Sequence, residues 1–141
     1  MSWLLDTCVV SEWVRPRPKA SVASWVLERD EDELFLSVIT IGELEKGIAR
    51  LPESPRRVTL AQWVRRELAD RFRGRLLVVD SGVAARWGAL VGASEARGQP
   101  LPVIDSLIAA TALQHDLTVV TRNTDDLERC GAHCLNPWTA R

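Results

Sequence analysis

Residues 3–14 read WLLDTCVVSEWV and predict the first strand and helix of the chain. The apolar residues 3–5 predict a short strand that ends at Asp6, and the residues after it predict a short helix, which the arginine–proline pairs at 15–18 terminate. Further apolar runs of strand length follow at residues 34–38, 76–79, 117–121 and 132–135. Because longer helical patterns separate most of these runs, they are typical of βα units. The sequence therefore predicts an α/β fold, a three-layer α/β/α domain with a mostly parallel central sheet.

The helical segments carry their own start and stop signals. Thr40, with Glu43 three residues later, predicts a capping box that opens a helix running to about Arg50. The longest helix is expected over Ser54–Arg73, because apolar residues recur there at spacings of three and four and form one stripe with arginines elsewhere. The predicted order of elements is β-α-α-β-α-α-β-α-α-β-α-β.

Length and composition bound the class of protein. The 141 residues are 46% hydrophobic and 26% charged, which fits one globular domain spanning residues 1–141. A net charge of −1 argues against a globally basic nucleic-acid binder. Three cysteines without a CxxC pair favour a reducing compartment over a disulfide framework. The N-terminal apolar run is too short for a signal peptide or a membrane span, so we expect a cytoplasmic protein with no membrane partner.

The small net charge hides a strong asymmetry along the chain. Residues 28–45 carry seven acidic side chains and one arginine, whereas residues 46–75 carry nine basic and three acidic side chains. Charge runs of this kind usually form solvated helix faces. The alternative is a basic surface that attracts phosphates beside an acidic site that holds cations. The sequence leaves both interpretations open for the arginines at 56, 57, 65 and 66, which we expect to face solvent or a partner.

Two acidic residues, Asp6 and Asp105, directly follow or interrupt apolar segments, where a carboxylate is unusual. Asp6 follows the first predicted strand, and open parallel sheets bind ligands at the carboxyl ends of their strands. Asp105 lies in an almost wholly apolar helical segment, on the face that Ile108 and Ala112 share, where an unpaired carboxylate would be costly. One interpretation of Asp105 is an N-terminal helix cap after Pro102. The other is a carboxylate that faces a cation.

Further acids fall at comparable places. A capping box accounts for Glu43 by itself, and helix capping likewise accounts for Asp125 and Asp126, which follow the strand that ends at Thr121. The strand ends and helix starts that carry Asp6, Asp105 and the turn from Asn123 to Asp126 come together in a doubly wound sheet. Carboxylates that converge without matching bases favour a hard divalent cation, Mg²⁺ or Mn²⁺ rather than zinc.

Four motifs, in order along the chain, resemble those of the PIN-domain ribonucleases. They are Trp3–Glu12, Thr40–Ile48, Pro102–Leu113 and Val120–Asn123. Together with the terminal Asn136-Pro137-Trp138, they make nearly the whole chain similar to the VapC toxins of type II toxin–antitoxin modules, and most of all to the FitB branch.

The resemblance implies a function and a set of site residues. Asp6, Glu43 and Asp105 would bind Mg²⁺ or Mn²⁺ and would be needed for RNA cleavage that leaves a 5′-phosphate and a 3′-hydroxyl. The fourth catalytic position usually holds aspartate and is Asn123 here, so we expect weaker metal binding, with Asp126 as the alternative metal ligand. An RNA substrate, a homodimer and a cognate antitoxin of the VapB or FitA type follow from the same resemblance.

Other functions fit the residues less well. A zinc site at Cys130, His133 and Cys134 lacks a clear fourth ligand, and Cys8, which we expect to be a small buried residue, has no obvious histidine partner for nucleophilic catalysis. A phosphoacceptor receiver domain would need a lysine after a late strand, and no lysine follows Lys46. The alternative that stays open is a PIN domain that has lost catalysis and only binds RNA or protein, which the loss of the fourth acid supports.

Overall fold

The centre of the molecule is a five-stranded sheet in which every pairing is parallel. The computed structural model describes residues 1–139. The strands are β1 (Trp3–Leu5), β2 (Leu34–Ser37), β3 (Leu76–Leu77), β4 (Thr118–Val120) and β5 (Cys134–Leu135). Their order across the sheet is β3-β2-β1-β4-β5, so the first strand of the sequence is the central one. Leu4 is paired with Phe35 on one side and with Val119 on the other.

Helices connect the strands in the predicted order. They are α1 (Thr7–Glu12), α2 (Ala20–Leu27), α3 (Val38–Ala49), α4 (Pro55–Gln62), α5 (Ala69–Arg71), α6 (Ser81–Ala96), α7 (Val103–Gln114) and α8 (Thr124–Arg129). A 3₁₀ turn at Glu31–Glu33 precedes β2, and a π-helical segment at Trp63–Leu68 joins α4 to α5. No helix within residues 1–139 is long and apolar enough to span a bilayer.

Two hydrophobic cores lie on opposite faces of the sheet. Successive strand residues point to opposite faces, so Leu5 and Val120 pack in the core that also contains side chains of α1, α2 and the π-helical segment. Leu4 and Val119 pack in the other core with side chains of α7 and α8. The predicted three-layer α/β/α architecture is therefore confirmed.

The predicted helix over Ser54–Arg73 is not continuous. The π-helical segment inserts a wider turn, which changes the face that the following residues present. Val64, Leu68 and Phe72 are buried as the apolar stripe predicts, but Val58, on the first part of the same stripe, is 57% exposed. The apolar periodicity predicts that this region is helical, but it does not predict the change of register at the π-helical segment.

Two further local predictions are wrong. The helix α3 is capped by Ser37, whose Oγ accepts a hydrogen bond of 3.0 Å from the Ile39 N–H, and Thr40 lies inside the helix as a buried residue. The run 76–79 is not a buried strand, because β3 is at the edge of the sheet and Val78 is 57% exposed. The cap is a local choice between two hydroxyl residues, Ser37 and Thr40, whereas the edge position of β3 depends on which strands pair in the tertiary structure.

Candidate active site

Asp6 lies at the carboxyl end of the central strand and is almost completely buried. Its backbone N–H donates to the Val120 carbonyl at 2.9 Å, which continues the pairing of β1 with β4 by one residue. The carboxylate caps α1, because Oδ1 accepts a hydrogen bond of 2.9 Å from the Thr7 N–H. Its other oxygen, Oδ2, accepts a bond of 2.8 Å from the Thr121 hydroxyl. Strand pairing, helix cap and side-chain bond thus fix this carboxylate in one orientation.

Thr121 joins the first motif to the fourth. It follows β4, is fully buried, and uses its hydroxyl twice: Oγ1 donates to Asp6 and accepts a hydrogen bond of 2.9 Å from the Asn123 N–H. The turn that carries Asn123 is therefore fastened to the end of the neighbouring strand. Local patterns predict Thr121 only as the end of a strand, although a hydroxyl residue at the carboxyl end of a buried strand is a signal for this role.

Glu43 reaches the same edge of the sheet from α3. It does not form the predicted capping box, because the helix begins five residues before it. Its Oε1 accepts a hydrogen bond from the hydroxyl of Thr7, which lies in the first turn of α1 and is also 3.4 Å from the Thr40 hydroxyl. The structure thus removes the simplest non-functional explanation of Glu43 and places its carboxylate beside the start of α1.

Asp105 lies in the first turn of α7 and does not cap it. Pro102 occupies the N-cap position, and no side chain bonds to the free N–H groups there. Oδ2 of Asp105 instead accepts a hydrogen bond of 3.2 Å from Nδ2 of Asn123. The capping interpretation is therefore wrong for this residue, and the structure brings it next to the turn after β4.

The carboxylates influence each other electrostatically. Burial is the largest cause that raises the pKa of Asp105, and the negative charges of Asp6, Asp126 and Glu43 raise this pKa further. The hydrogen bond from Asn123 works in the opposite direction and lowers the pKa. Burial also raises the pKa of Asp6 above its ordinary value, against the hydrogen bonds from Thr121 and Thr7. The ionised form of both carboxyl groups is therefore less favourable than in free solution, and a nearby cation would offset this cost.

An open depression of about 570 Å³ joins these groups. Its lining consists of Asp6, Thr7, Cys8, Ser11, Glu43, Asp105, Arg122 and Asn123. The carboxylate of Asp126 does not line it and lies 3.6 Å from Arg129, although its charge reaches Asp105. Of the five residues predicted for the site, four thus face one depression and Asp126 lies outside its lining.

Cys8 is half-buried at the wall of this depression and is not the fully buried residue expected. Its sulfur lies 3.7 Å from the Thr121 hydroxyl and accepts a hydrogen bond of 3.4 Å from the Arg122 N–H. Burial, and then the charge of Asp6, raise the pKa of the Cys8 thiol, which keeps it protonated. A protonated thiol is a poor nucleophile, so the geometry does not support cysteine catalysis.

The donor atoms suit a hard divalent cation. They are carboxylate oxygens and one amide oxygen, and the mutual repulsion of the carboxylates is what a bound cation would relieve. Among residues 1–139, however, no three His, Cys, Asp or Glu side chains lie close enough together to enclose an ion as they stand. The chemistry of the set thus fits Mg²⁺ or Mn²⁺.

A family model described as the PIN domain matches residues 3–132, which include every side chain that lines the depression. The chain belongs to the PIN domain family. The resemblance found in the four motifs is therefore confirmed, and the strand ends that carry Asp6 and Asn123 lie within the matched region of the PIN domain.

Relatives of this PIN domain are alike over nearly their whole length. Toxin FitB of Neisseria gonorrhoeae is 36% identical over 135 residues, which cover 96% of this chain and 97% of that protein. VapC ribonuclease Y4jK of Sinorhizobium fredii is 33% identical over 135 residues, which cover 96% of each. The crystal structure of FitAcB from Neisseria gonorrhoeae has a chain with a TM-score of 0.91 and 35% identity, which covers 98% of this PIN domain and 99% of that chain.

Proposed function

We propose that the chain is a Mg²⁺- or Mn²⁺-dependent endoribonuclease and the toxin of a type II toxin–antitoxin module. One observation carries the proposal: Asp6, Glu43 and Asp105 converge on one depression, and none of the three forms an ion pair within residues 1–139. The relatives named as a FitB toxin and a VapC ribonuclease support it. The same likeness supports a cognate antitoxin, a homodimer and action on RNA in the cytoplasm.

The roles of the residues follow from where their oxygens lie. Asp6 and Asp105 would be the principal metal ligands, because burial raises the pKa of both carboxyl groups and neighbouring negative charges raise the pKa of Asp105 further, which a cation would offset. Glu43, held by Thr7, would orient the attacking water or a second ion. Asn123, or Asp126 in its place, would complete the set of ligands.

A divalent ion held by Asp6 and Asp105 would supply positive charge to offset the anionic phosphate and would activate a water for hydrolysis. The chain itself supplies the orientation. Thr121 fixes Asp6, Thr7 fixes Glu43, and Asn123 holds one oxygen of Asp105. Because each carboxylate has such a partner, its direction is set before the substrate arrives, which reduces the reorganisation needed for catalysis.

The test is cleavage of RNA by the purified chain with Mg²⁺, with Mn²⁺ and with a chelator. Asp6→Asn and Asp105→Asn should each lower the cleavage rate by about a hundredfold or more, since even residues that only support metal ligands cost 10- to 100-fold. Asparagine keeps the cap of α1, so the Asp6 variant should stay folded. Asp125→Asn is the matched control, because Asp125 is exposed in the first turn of α8 and does not line the depression.

A second candidate is a PIN domain that binds RNA or protein without cleaving it. The amide of Asn123, which donates to Asp105 where the family usually has a fourth carboxylate, favours this candidate. Undiminished cleavage by Asp105→Asn would refute the assignment of the site. RNA binding without cleavage in either metal would instead favour the second candidate.

A further inference from the structure

A second depression of about 410 Å³ adjoins the carboxylate site and has the opposite charge. The two depressions share Cys8, Ser11 and Arg122 in their walls. The remaining walls of the second one are Glu12, Val14, Arg15, Arg56 and Trp138. Three arginines and one glutamate thus stand directly beside a depression that is lined by three carboxylates.

The single acid in this basic depression is already occupied. Glu12 is buried, and its two oxygens accept hydrogen bonds from the Lys19 N–H at 2.9 Å and from the Arg15 guanidinium at 3.3 Å. Within residues 1–139, the guanidinium groups of Arg56 and Arg122 form no ion pair with another side chain. Two cationic groups are therefore available to an anion that enters the depression.

Trp138 supplies an aromatic surface at the same place. It follows β5, and its indole packs partly against the core on one face of the sheet. The guanidinium of Arg122, which follows the neighbouring strand β4, lies 5.3 Å from the centre of the Trp138 ring. Because the core supports the indole, its position is fixed without a ligand.

We propose that this depression, formed by Arg15, Arg56, Arg122 and Trp138, is a subsite for the nucleotide next to the scissile phosphate of a single-stranded RNA. The arginines bind the backbone phosphate, and Trp138 together with Arg122 provides the surface on which the base stacks. Cationic grooves lined with aromatic side chains bind single strands in this way, because a base in a duplex is already stacked and paired. The inference rests on the proposed function, since it takes RNA as the substrate.

The arginines at 56, 57, 65 and 66 separate into two groups in the structure, which provides a matched control. Arg56 lines the basic depression, whereas Arg57, Arg65 and Arg66 line a different cavity of about 600 Å³ between α3 and α4. Arg65 is paired there with Glu45 through two hydrogen bonds. The double variant Arg57→Gln/Arg66→Gln therefore removes the same charge as Arg56→Gln/Arg122→Gln without altering the basic depression.

The experiment measures the affinity of the full chain for a labelled single-stranded RNA oligonucleotide over a range of salt, with a chelator present so that no cleavage occurs. Arg56→Gln/Arg122→Gln should weaken binding about tenfold or more, and should lower the salt slope by about 0.7 for each phosphate that the variant no longer neutralises. Trp138→Leu should weaken binding about tenfold, whereas Trp138→Phe, which keeps an aromatic ring, should bind nearly as the wild type does. A duplex of the same length should bind the wild type more weakly.

Unchanged affinity in both the arginine pair and Trp138→Leu would overturn the proposal. An equal loss in the Arg57/Arg66 control would also overturn it, because only general charge would then be at work. Since binding is measured without metal, the two proposals fail separately. If the variants lose RNA affinity as expected but the wild type cleaves nothing in Mg²⁺ or Mn²⁺, the subsite is supported and the nuclease function is refuted. If the wild type cleaves RNA but the variants bind RNA as tightly as it does, the nuclease function is supported and the subsite is refuted.

Discussion

Asp105 shows how a single side chain carries the electrostatics of the site. It lies in the first turn of α7, just before the buried part of that helix, and its only hydrogen bond to a side chain within residues 1–139 comes from Asn123. Its pKa is raised from 3.8 by burial and then by the charges of three other acids. The residue is thus held in a place that favours either a proton or a metal ion.

The raised pKa predicts how stability depends on pH. A carboxyl group whose pKa is higher in the folded than in the unfolded chain stabilises the fold at low pH, and this contribution is lost as the pH rises through the folded value. Asp105→Asn should therefore raise the melting temperature by a few degrees at about pH 7 and by less at about pH 4. Thermal melts without divalent ions at both pH values measure this. Equal shifts at the two values would contradict it, and Asp125→Asn should shift neither.

Asn123 offers the converse experiment. Asn123→Asp removes the donor to Asp105 and adds a charge, so without metal the fold should melt at a lower temperature. The same charge should tighten Mn²⁺ binding about tenfold, measured by calorimetry. Asn136→Asp is the control, because Asn136 lies outside the lining of the depression and the acceptor for the Trp138 N–H is retained. Unchanged Mn²⁺ affinity in Asn123→Asp would place Asn123 outside the metal site and assign its role to Asp126.

At the level of helices and strands, the site depends on contacts that cross between elements. The hydroxyl of Thr7 ties α1 to Glu43 on α3, and the hydroxyl of Thr121 ties β4 to Asp6 after β1. The π-helical segment at Trp63–Leu68 also affects how the elements pack, because it orients the side chains of Val64 and Leu68 towards the core. Each of these features joins parts of the chain that local patterns describe separately.

Thr7 is expected to act as a positioning residue. Thr7→Val keeps the shape of the side chain and removes the bond to Glu43, so the cleavage rate constant should fall about tenfold while the affinity for RNA stays the same. Thr7→Ser keeps the hydroxyl and should restore most of the rate. Single-turnover cleavage and chelated binding assays separate the two quantities. A loss of affinity in Thr7→Val, or no rescue by serine, would contradict the role.

On the scale of the whole molecule, the expected homodimer needs a surface. The arginines that we expect to face solvent or a partner lie on the helical segment over residues 54–73, but Trp63 packs on the core there and Arg65 is paired with Glu45. Within this segment Val58 is exposed, and the exposed large apolar side chains outside it include Leu76, Val78, Val79, Val103 and Ile104. Exposed apolar surface commonly marks partner surfaces, so we propose the five residues outside the segment as the dimer surface.

We expect the chain to be a dimer in solution and to lose that state when this surface is charged. Val78→Lys/Val103→Lys should elute as a monomer in size-exclusion chromatography with light scattering, because a buried lysine without a partner is costly at an interface. Arg65→Glu/Arg66→Glu should remain a dimer. The opposite pattern, with the arginine variant monomeric and the valine variant dimeric, would return the interface to the helical segment.

The sequence by itself determined the layers of this protein and the places of its acids. Successive residues of a strand point to opposite faces of the sheet, so Leu4 and Leu5 pack in different cores. Because this alternation depends only on neighbouring residues, the sequence predicts the three layers correctly. The carboxyl ends of parallel strands meet at one edge, so Asp6 and the turn at Asn123 were expected to face one site, and they line the same depression.

Which acidic side chains have no local capping role, and which arginine side chains lie beside them, depends on the tertiary structure. Glu43 fits a capping box by local rules, and its true partner, Thr7, lies 36 residues away in the sequence. Arg56 and Arg57 are neighbours in the chain and face different cavities. Caps and stripes depend on residues within one turn of helix, whereas hydrogen bonds and cavities depend on which distant elements pack together, and that information is present only in the folded chain.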